Sequence, residues 1–324
     1  MYHEKSLEQG KLRTALSARK TKVIGGAVVL AAVVGGGAWS YFDRSGEVEV
    51  TKPTKPIPEN INPYHVQLSW NMFNQTDKRW KQVRSLIRKY QVDVAMLQEV
   101  SHADSQKIGE RFPEMHKTFV MADKKSQPAN GGYGNLLITS QKPRDIKSIS
   151  LSGSSIIEGS TQTAAAGVKY AYYLGESDQS PDDEWQADRS AVAATISVRQ
   201  GEELKDIRVI TGHIAGNEKV HDKQLDSLLK FVKDETKEDR PTIFCGDLND
   251  TPENVIPRFA SIGFITPQTA GTWAGESHNT IDYCSYTTGG AVLGLGSVAV
   301  LNEPYVTDHH SLVGAWTTRL PEER

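Results

Sequence analysis

"IFCGDLND", residues 243–250, runs two β-prone apolar residues and a Cys into Gly246, then places two acids and an Asn within four positions. Carboxylates are costly to bury unless a positive or hydrogen-bonding group receives them. One reading is a strand closing in a polar turn, because Gly, Asn and Asp are ordinary turn residues. The other is a strand end that carries chemistry. The remainder of the chain decides between them.

The same pattern recurs on both sides. Upstream, "YHVQLSWNMF" (64–73), "DVAMLQEV" (93–100), "YGNLLITS" (133–140), "SAVAATISV" (190–198) and "IRVITGHI" (207–214) read as strands. Downstream, "TIDYCSY" (280–286) and "SLVGAWTT" (311–318) do likewise. Trp80, Val83, Ile87 and Tyr90 recur at helical spacing, as do Leu225, Leu228, Leu229 and Val232 after Gly216. Strands interleaved with a few helices predict an α/β body of β layers with helices outside. Residues 152–187 are rich in Gly, Ser and Asp and read as a surface excursion holding one strand, "VKYAYYL" (168–174). Residues 286–306 read as a second loop.

Asked of every strand, the opening question returns one kind of answer. "LSWNMF" closes on Asn71, "AMLQEV" on Gln98-Glu99, "VITGHI" on His213 and "IFCGDLN" on Asp247 and Asn249. "TIDYC" begins at Asp282, and "TDHHSLV" opens with Asp308-His309. Each alone has a structural explanation, as a turn cap, a surface ion pair or a core imidazole. Together they supply carboxylates for a hard cation such as Mg²⁺, imidazoles for proton transfer, and carboxamides that orient a phosphoryl oxygen.

The two cysteines, Cys245 and Cys284, are too few for a disulfide framework and look like strand residues. Neither has a CxxC or Cys/His neighbourhood, which excludes a zinc cluster. Residues 1–22 carry six Lys or Arg against two Glu, a net +4, so the rest of the −3 chain carries −7. A body of that sign is not a general polyanion-binding surface.

Residues 23–42, VIGGAVVLAAVVGGGAWSYF, contain no charge and have the length of a bilayer span. With the basic tail ahead of it and aromatic residues at its far end, this segment predicts a single-pass anchor with the body outside the cytoplasm. Two alternatives stand beside it: a signal peptide cleaved near Ala38, which would release a secreted body, and a buried helix. The predicted order is therefore a basic tail (1–22), a membrane segment (23–42), a Pro-rich linker (43–63), a catalytic domain (64–318) and a short tail (319–324).

The ordered series WNMF, LQEV, GHIAGN, GDLND, TIDY and TDHH resembles the endonuclease/exonuclease/phosphatase superfamily, which includes DNase I. The resemblance spans residues 64–318. It implies an α/β fold of two stacked mixed β-sheets flanked by helices, a DNase I-like four-layer sandwich. It also implies Mg²⁺, or Mn²⁺ or Ca²⁺, as cofactor. Residue by residue, Glu99 resembles the principal metal ligand, with Asn71 beside it and Asp308 nearby. Asp247 resembles the group that positions or activates the attacking water. His309 resembles the essential histidine, oriented by Asp282, and His213 a second histidine that serves as acid for the leaving oxygen. Asn249, Arg189 and Asn135 resemble substrate-contacting residues. Ser311 stands where the family often has Pro, and Ile-Ala-Gly follows His213 where Leu and a polar residue are more usual. Neither departure removes a reacting group. The implied activity is hydrolysis of a phosphodiester, with a nucleic acid placed ahead of a phospholipid as substrate. A lipid-directed phosphoesterase and a non-catalytic binding module are the alternatives.

Overall fold

Alternation along each strand sorts its side chains onto two faces, and in the strands 65–71, 133–139 and 242–247 both faces are buried. The computed structural model describes residues 65–73, 77–123, 132–151, 162–163, 168–171, 189–200, 203–216, 218–269, 271–273, 279–287, 293–301 and 308–318. The expected membrane segment, both tails and the linker lie outside the described residues. Among the described residues no helix is long and apolar enough to cross a membrane.

In chain order the elements begin with β1 (His65–Asn71), α1 (Asp77–Tyr90), β2 (Val94–Ser101), α2 (His102–Arg111), β3 (His116–Asp123) and β4 (Tyr133–Thr139). Next come β5 (Arg144–Ser150), β6 (Gln162–Thr163), β7 (Val168–Ala171), β8 (Ser190–Gln200), β9 (Glu203–His213) and α3 (Glu218–Glu235). The last are β10 (Thr242–Asp247), α4 (Pro252–Ser261), β11 (Asp282–Tyr286), β12 (Leu293–Leu301) and β13 (Ser311–Thr318). They build an eight-stranded mixed sheet, β12-β13-β1-β2-β4-β3-β7-β6, and a five-stranded mixed sheet, β11-β10-β9-β8-β5.

Three apolar cores glue the layers. Trp80, Val83, Leu86 and Ile87 of α1 pack with Leu68, Trp70, Ala95 and Leu97 on the outer face of the larger sheet. Between the sheets lie Val94, Met96, Leu137, Val192, Val209, Ile243 and Trp316. Leu225, Leu228 and Val232 of α3, with Val255 and Phe259 of α4, cover Ile210 and Phe244 on the outer face of the smaller sheet. Each fully buried Leu, Ile, Val or Phe contributes about 1.5–3 kcal/mol relative to exposure. The sandwich of two mixed sheets with helices outside agrees with the implied fold.

Local chemistry fixes several element ends. Ser101 caps α2 by accepting a hydrogen bond from the Asp104 amide at 3.0 Å. Pro252 opens α4, where its missing N–H costs nothing. Gly246 is required by a close approach, since a Cβ there would lie 2.1 Å from the Gly212 carbonyl oxygen.

Two sequence expectations are corrected. The expected loop 286–306 contains β12, which pairs along its length with β13. The excursion 152–187 contains β6 as well as β7; the remainder of it lies outside the described residues. Cys245 and Cys284 are strand residues as expected, but they face each other across β10 and β11 and form one disulfide.

Candidate active site

Parity explains how the site assembles. In the smaller sheet Val209 of β9 and Ile243 and Cys245 of β10 point between the sheets, so His213 and Asp247 do too. On β11, Cys284 and Tyr286 take the same face, which carries Asp282 with them. Register then aligns the three ends: Asp247 pairs with His213 on one side and with Asp282 on the other. From the larger sheet, Asn71 ends β1 and faces them.

Glu99 reaches the cleft against parity. Val94 and Met96 of β2 point between the sheets, which assigns Gln98 to that face and Glu99 to the opposite one. A bulge between Leu97 and Val100 breaks the pairing with β4, and Glu99 takes φ +54. Bulges re-aim side chains in this manner. Asn249 also has a positive φ, +47, just after Asp247. Non-glycine residues held there are strained, a feature that clusters at functional sites.

A cavity of about 500 Å³ opens where these ends meet. Asn71, Glu99, Arg189, His213, Asp247, Asn249, Asp308 and His309 all line it. His309 Nδ1 lies 2.9 Å from Asp282 Oδ2, the pairing that the resemblance implies. His309 Nε2 then faces Asp247 Oδ2 at 3.7 Å, and His213 Nε2 faces the same oxygen at 3.5 Å. The two imidazoles therefore flank one carboxylate. Asn71 Nδ2 donates to Asp247 Oδ2 at 2.8 Å, and the Asn249 backbone N–H donates to Oδ1 at 2.9 Å.

Environment pushes these groups apart. Burial, then the Asp282 charge, raises the Asp247 carboxyl to about 7, against the opposing pull of His309 and two hydrogen bonds. Burial raises Glu99 as well, opposed by Arg189 and His309. For His309 burial works against the charged ring, but Asp282 and Asp247 outweigh it and raise the imidazole to about 10. His213 goes the other way: burial, then the Arg189 and His309 charges, hold it well below its ordinary value and neutral. Asn249 Nδ2 lies 3.2 Å from His213 Nε2. An amide nitrogen is a donor, so that ring atom accepts and the proton sits on Nδ1.

Of the expected site residues, Asp282 stands behind His309 and does not line the cavity, and neither does Asn135. Its amide crosses instead to β8 and donates to the Ser190 carbonyl at 2.8 Å and hydroxyl at 3.0 Å. Three lining residues carried no sequence signal: Thr251, Trp273 and Asn279. Thr272 and Trp273 act through tertiary contacts. Thr272 Oγ1 accepts from the Ile281 and Asp282 amides at 3.0 Å, and Trp273 bridges to His309.

The donor chemistry suits a divalent cation. His213 Nε2 lies 3.5 Å from Asp247 Oδ2 and 3.7 Å from Glu99 Oε1. Two ligand sets compete. Asp247, Asp282 and His309 offer ligand atoms within 4.8 Å of one another. There, however, His309 already spends Nδ1 on Asp282, and a ligating imidazole must be neutral. Glu99, Asn71 and Asp308 offer oxygens alone, the preference of Mg²⁺, Mn²⁺ and Ca²⁺.

Two stacked sheets whose strand ends gather acids, amides and imidazoles round one cavity define a phosphoesterase. No curated protein matches the chain. The chain belongs to the endonuclease/exonuclease/phosphatase family, whose profile matches residues 68–309. It is a hydrolase of phosphoric esters, from a family that typically depends on a divalent metal. Among solved structures it is similar to the human Nocturnin catalytic domain with bound sulfate, at 19% identity over 83% of this chain and 100% of that one, with a TM-score of 0.55. The mannosyl-6-phosphatase of Bacteroides thetaiotaomicron is 13% identical over 78% of this chain and 99% of its own, at 0.57. D. rerio TDP2 with a single-strand DNA product is 16% identical over 78% and 99%, at 0.54. At these identities the likeness is one of fold.

Proposed function

We propose that the protein is a divalent-cation-dependent phosphodiesterase that cleaves nucleic acid by in-line attack of water. The observation that carries this reading is the pair of imidazoles flanking Asp247 in opposite charge states. Groups whose environments push them apart are the usual division of labour at an acid–base site. Asp247, raised to about 7, accepts the proton of the attacking water. The charged His309 ring, held by Asp282, gives its Nε2 proton to the leaving oxygen. Arg189 and Asn249 orient the phosphoryl oxygens. The cation, held by Glu99 with Asn71 and Asp308, polarises the phosphoryl group when bound. One P–O ester bond is exchanged for one to the oxygen of water, and an alcohol leaves.

Two aromatic side chains, Phe73 and Trp273, line the cavity, and a base stacked on such a ring gains about 1–3 kcal/mol. This supports a nucleic acid over a lipid phosphate. A lipid-directed phosphoesterase is the second reading, favoured by the uncharged span 23–42 and the −7 balance of the body. In both readings the span tethers the domain outside the cytoplasm, or is cleaved near Ala38.

Assay of the full-length protein against single-stranded DNA, duplex DNA, RNA, sphingomyelin and phosphoinositides separates them. The expected result is nucleic-acid cleavage with Mg²⁺ that EDTA abolishes. Turnover of lipid alone would move the assignment to the second reading, and Mg²⁺-independent cleavage would overturn the cation's role. A C-terminal reporter that works only in the cytoplasm should be silent; an active one would contradict export.

A further inference from the structure

The inner faces of stacked sheets are normally apolar, yet a row of carboxamides crosses this one. Asn71 on β1, Gln98 on β2 and Asn135 on β4 sit on three adjacent strands of the larger sheet. Asn71 pairs in register with Gln98. Asn135 stands opposite the bulge, between the pairs Leu97–Leu136 and Val100–Gly134. Their exposures are 1%, 0% and 1%.

Each amide donates to a different strand of the smaller sheet, and those strands are also adjacent. Asn71 reaches Asp247 of β10 at 2.8 Å. Gln98 Nε2 reaches the Thr211 hydroxyl of β9 at 2.9 Å, and also Ser69 Oγ at 3.2 Å. Asn135 reaches Ser190 of β8. Thr211 lies two residues before His213 on the same face, and Ser190 follows Arg189. The row therefore touches Asp247 directly, His213 through Thr211 and Arg189 through Ser190.

Stability does not account for this row. The carbonyl oxygens of Gln98 and Asn135 are buried and find no partner among the described residues. Replacing both members of a buried polar pair by apolar groups of the same shape is often neutral or stabilising. What the row does is hold two sheets at one spacing where their side chains must cooperate. Glu99 and His213 come from opposite sheets and meet at 3.7 Å, and Gln98 ties the residue beside Glu99 to the strand of His213.

We propose that Gln98 and Asn135 are positioning residues, with Gln98 setting the Glu99–His213 separation and Asn135 setting the place of Arg189. The proposal rests on the reading of the cavity as a phosphodiesterase site. Misplacing reacting groups by about 1 Å can cost on the order of a hundredfold in rate.

The test compares the full-length protein with Gln98→Met, Thr211→Val, their double variant and Asn135→Leu. Measured are melting temperature, kcat and KM on bis(p-nitrophenyl) phosphate with Mg²⁺, and the imidazole NMR signals of His213 and His309 without metal. Gln98→Met should lower kcat by about 10- to 100-fold with KM within about twofold, and should move the His213 signals. Thr211→Val, which removes the acceptor isosterically, should do the same, and the double variant should be no worse than either. Asn135→Leu should act mainly on KM. Wild-type kinetics and His213 signals in Gln98→Met and Thr211→Val would overturn the proposal, as would multiplicative losses in the double variant. Should Gln98→Met fail to fold, Thr211→Val alone decides by the same kcat and His213 readouts. A wild-type protein inactive on this substrate would fault the reading of the cavity, while the His213 signals would still judge the row.

Discussion

Strand β9 carries two buried charge problems, one at its middle and one at its far end, and they are solved differently. At its middle Arg208, fully buried, pairs with Glu235 of α3 and also donates to the Asp145 carbonyl at 2.7 Å and Thr195 Oγ1 at 3.1 Å. Burial lowers the guanidinium, and the Glu235 charge opposes that shift. At its far end His213 meets Glu99 and Asp247, while Asp282 adds a third buried acid, and His309 and Arg189 are the cations nearby. The first cluster matches charge with charge. The second gathers three acids with His309 and Arg189, and burial, above all, pushes Glu99 and Asp247 up. The first cluster serves the fold, and the second carries groups that line the cavity.

The largest expected effect lies at the matched pair. Glu235→Gln leaves Arg208 as an uncompensated buried charge, which should cost about 3–5 kcal/mol in a denaturant titration. The folded fraction should keep its full turnover. Asp247→Asn should do the reverse, abolishing turnover while the melting temperature holds or rises, because a repelled acid is removed. Equal stability losses in the two variants would erase the distinction.

Next in size is the loss at the Asp282–His309 pair. His309→Ala should lower kcat by at least about a hundredfold, the range for a general acid–base or charge-stabilising group. Asp282→Asn should impair the same step, so the double variant should be little worse than His309→Ala. Multiplicative losses would mean that the two residues act separately.

The smallest effect is a pH dependence of the metal-free protein. The Asp247 carboxyl is raised from 3.8 to about 7 in the fold. Its contribution to stability is therefore full below about 3.8 and is lost as pH climbs to about 7. His309, raised from 6.5 to about 10, follows the same sign over that higher window. In EDTA the wild type should lose more stability between pH 4 and 7 than Asp247→Asn does. Parallel curves would show that Asp247 is not held protonated by its surroundings.

The opening stretch was legible for a definite reason. Residues 243–247 alternate strictly, so the face of Asp247 follows from Ile243 and Cys245, and Gly246 is explained by the close approach of Gly212. His213 and Asp282 were legible in the same manner. Glu99 was found by resemblance, and parity alone would have sent it to the wrong face, because a bulge is a pairing property with no local signature. Asn135 was placed in the site on its motif, but its amide is spent on Ser190, a partner that only the stacking of the sheets creates. Thr272 and Trp273 belong to a segment without period, so nothing local marked them. Strand β5, RDIKSIS, was missed because it is a largely exposed edge with little apolar patterning.

The central claim is that Glu99, with Asn71 and Asp308, holds a divalent cation in the cleft. Thermal unfolding of the full-length wild type and Glu99→Gln, in EDTA and at saturating Mg²⁺, tests it most directly. A ligand that binds only the folded state at a hundred times its Kd adds about 2.7 kcal/mol. The account predicts that Mg²⁺ raises the melting temperature of the wild type by several degrees and that Glu99→Gln loses most of that gain. An equal gain in both proteins, or none in the wild type, would contradict it.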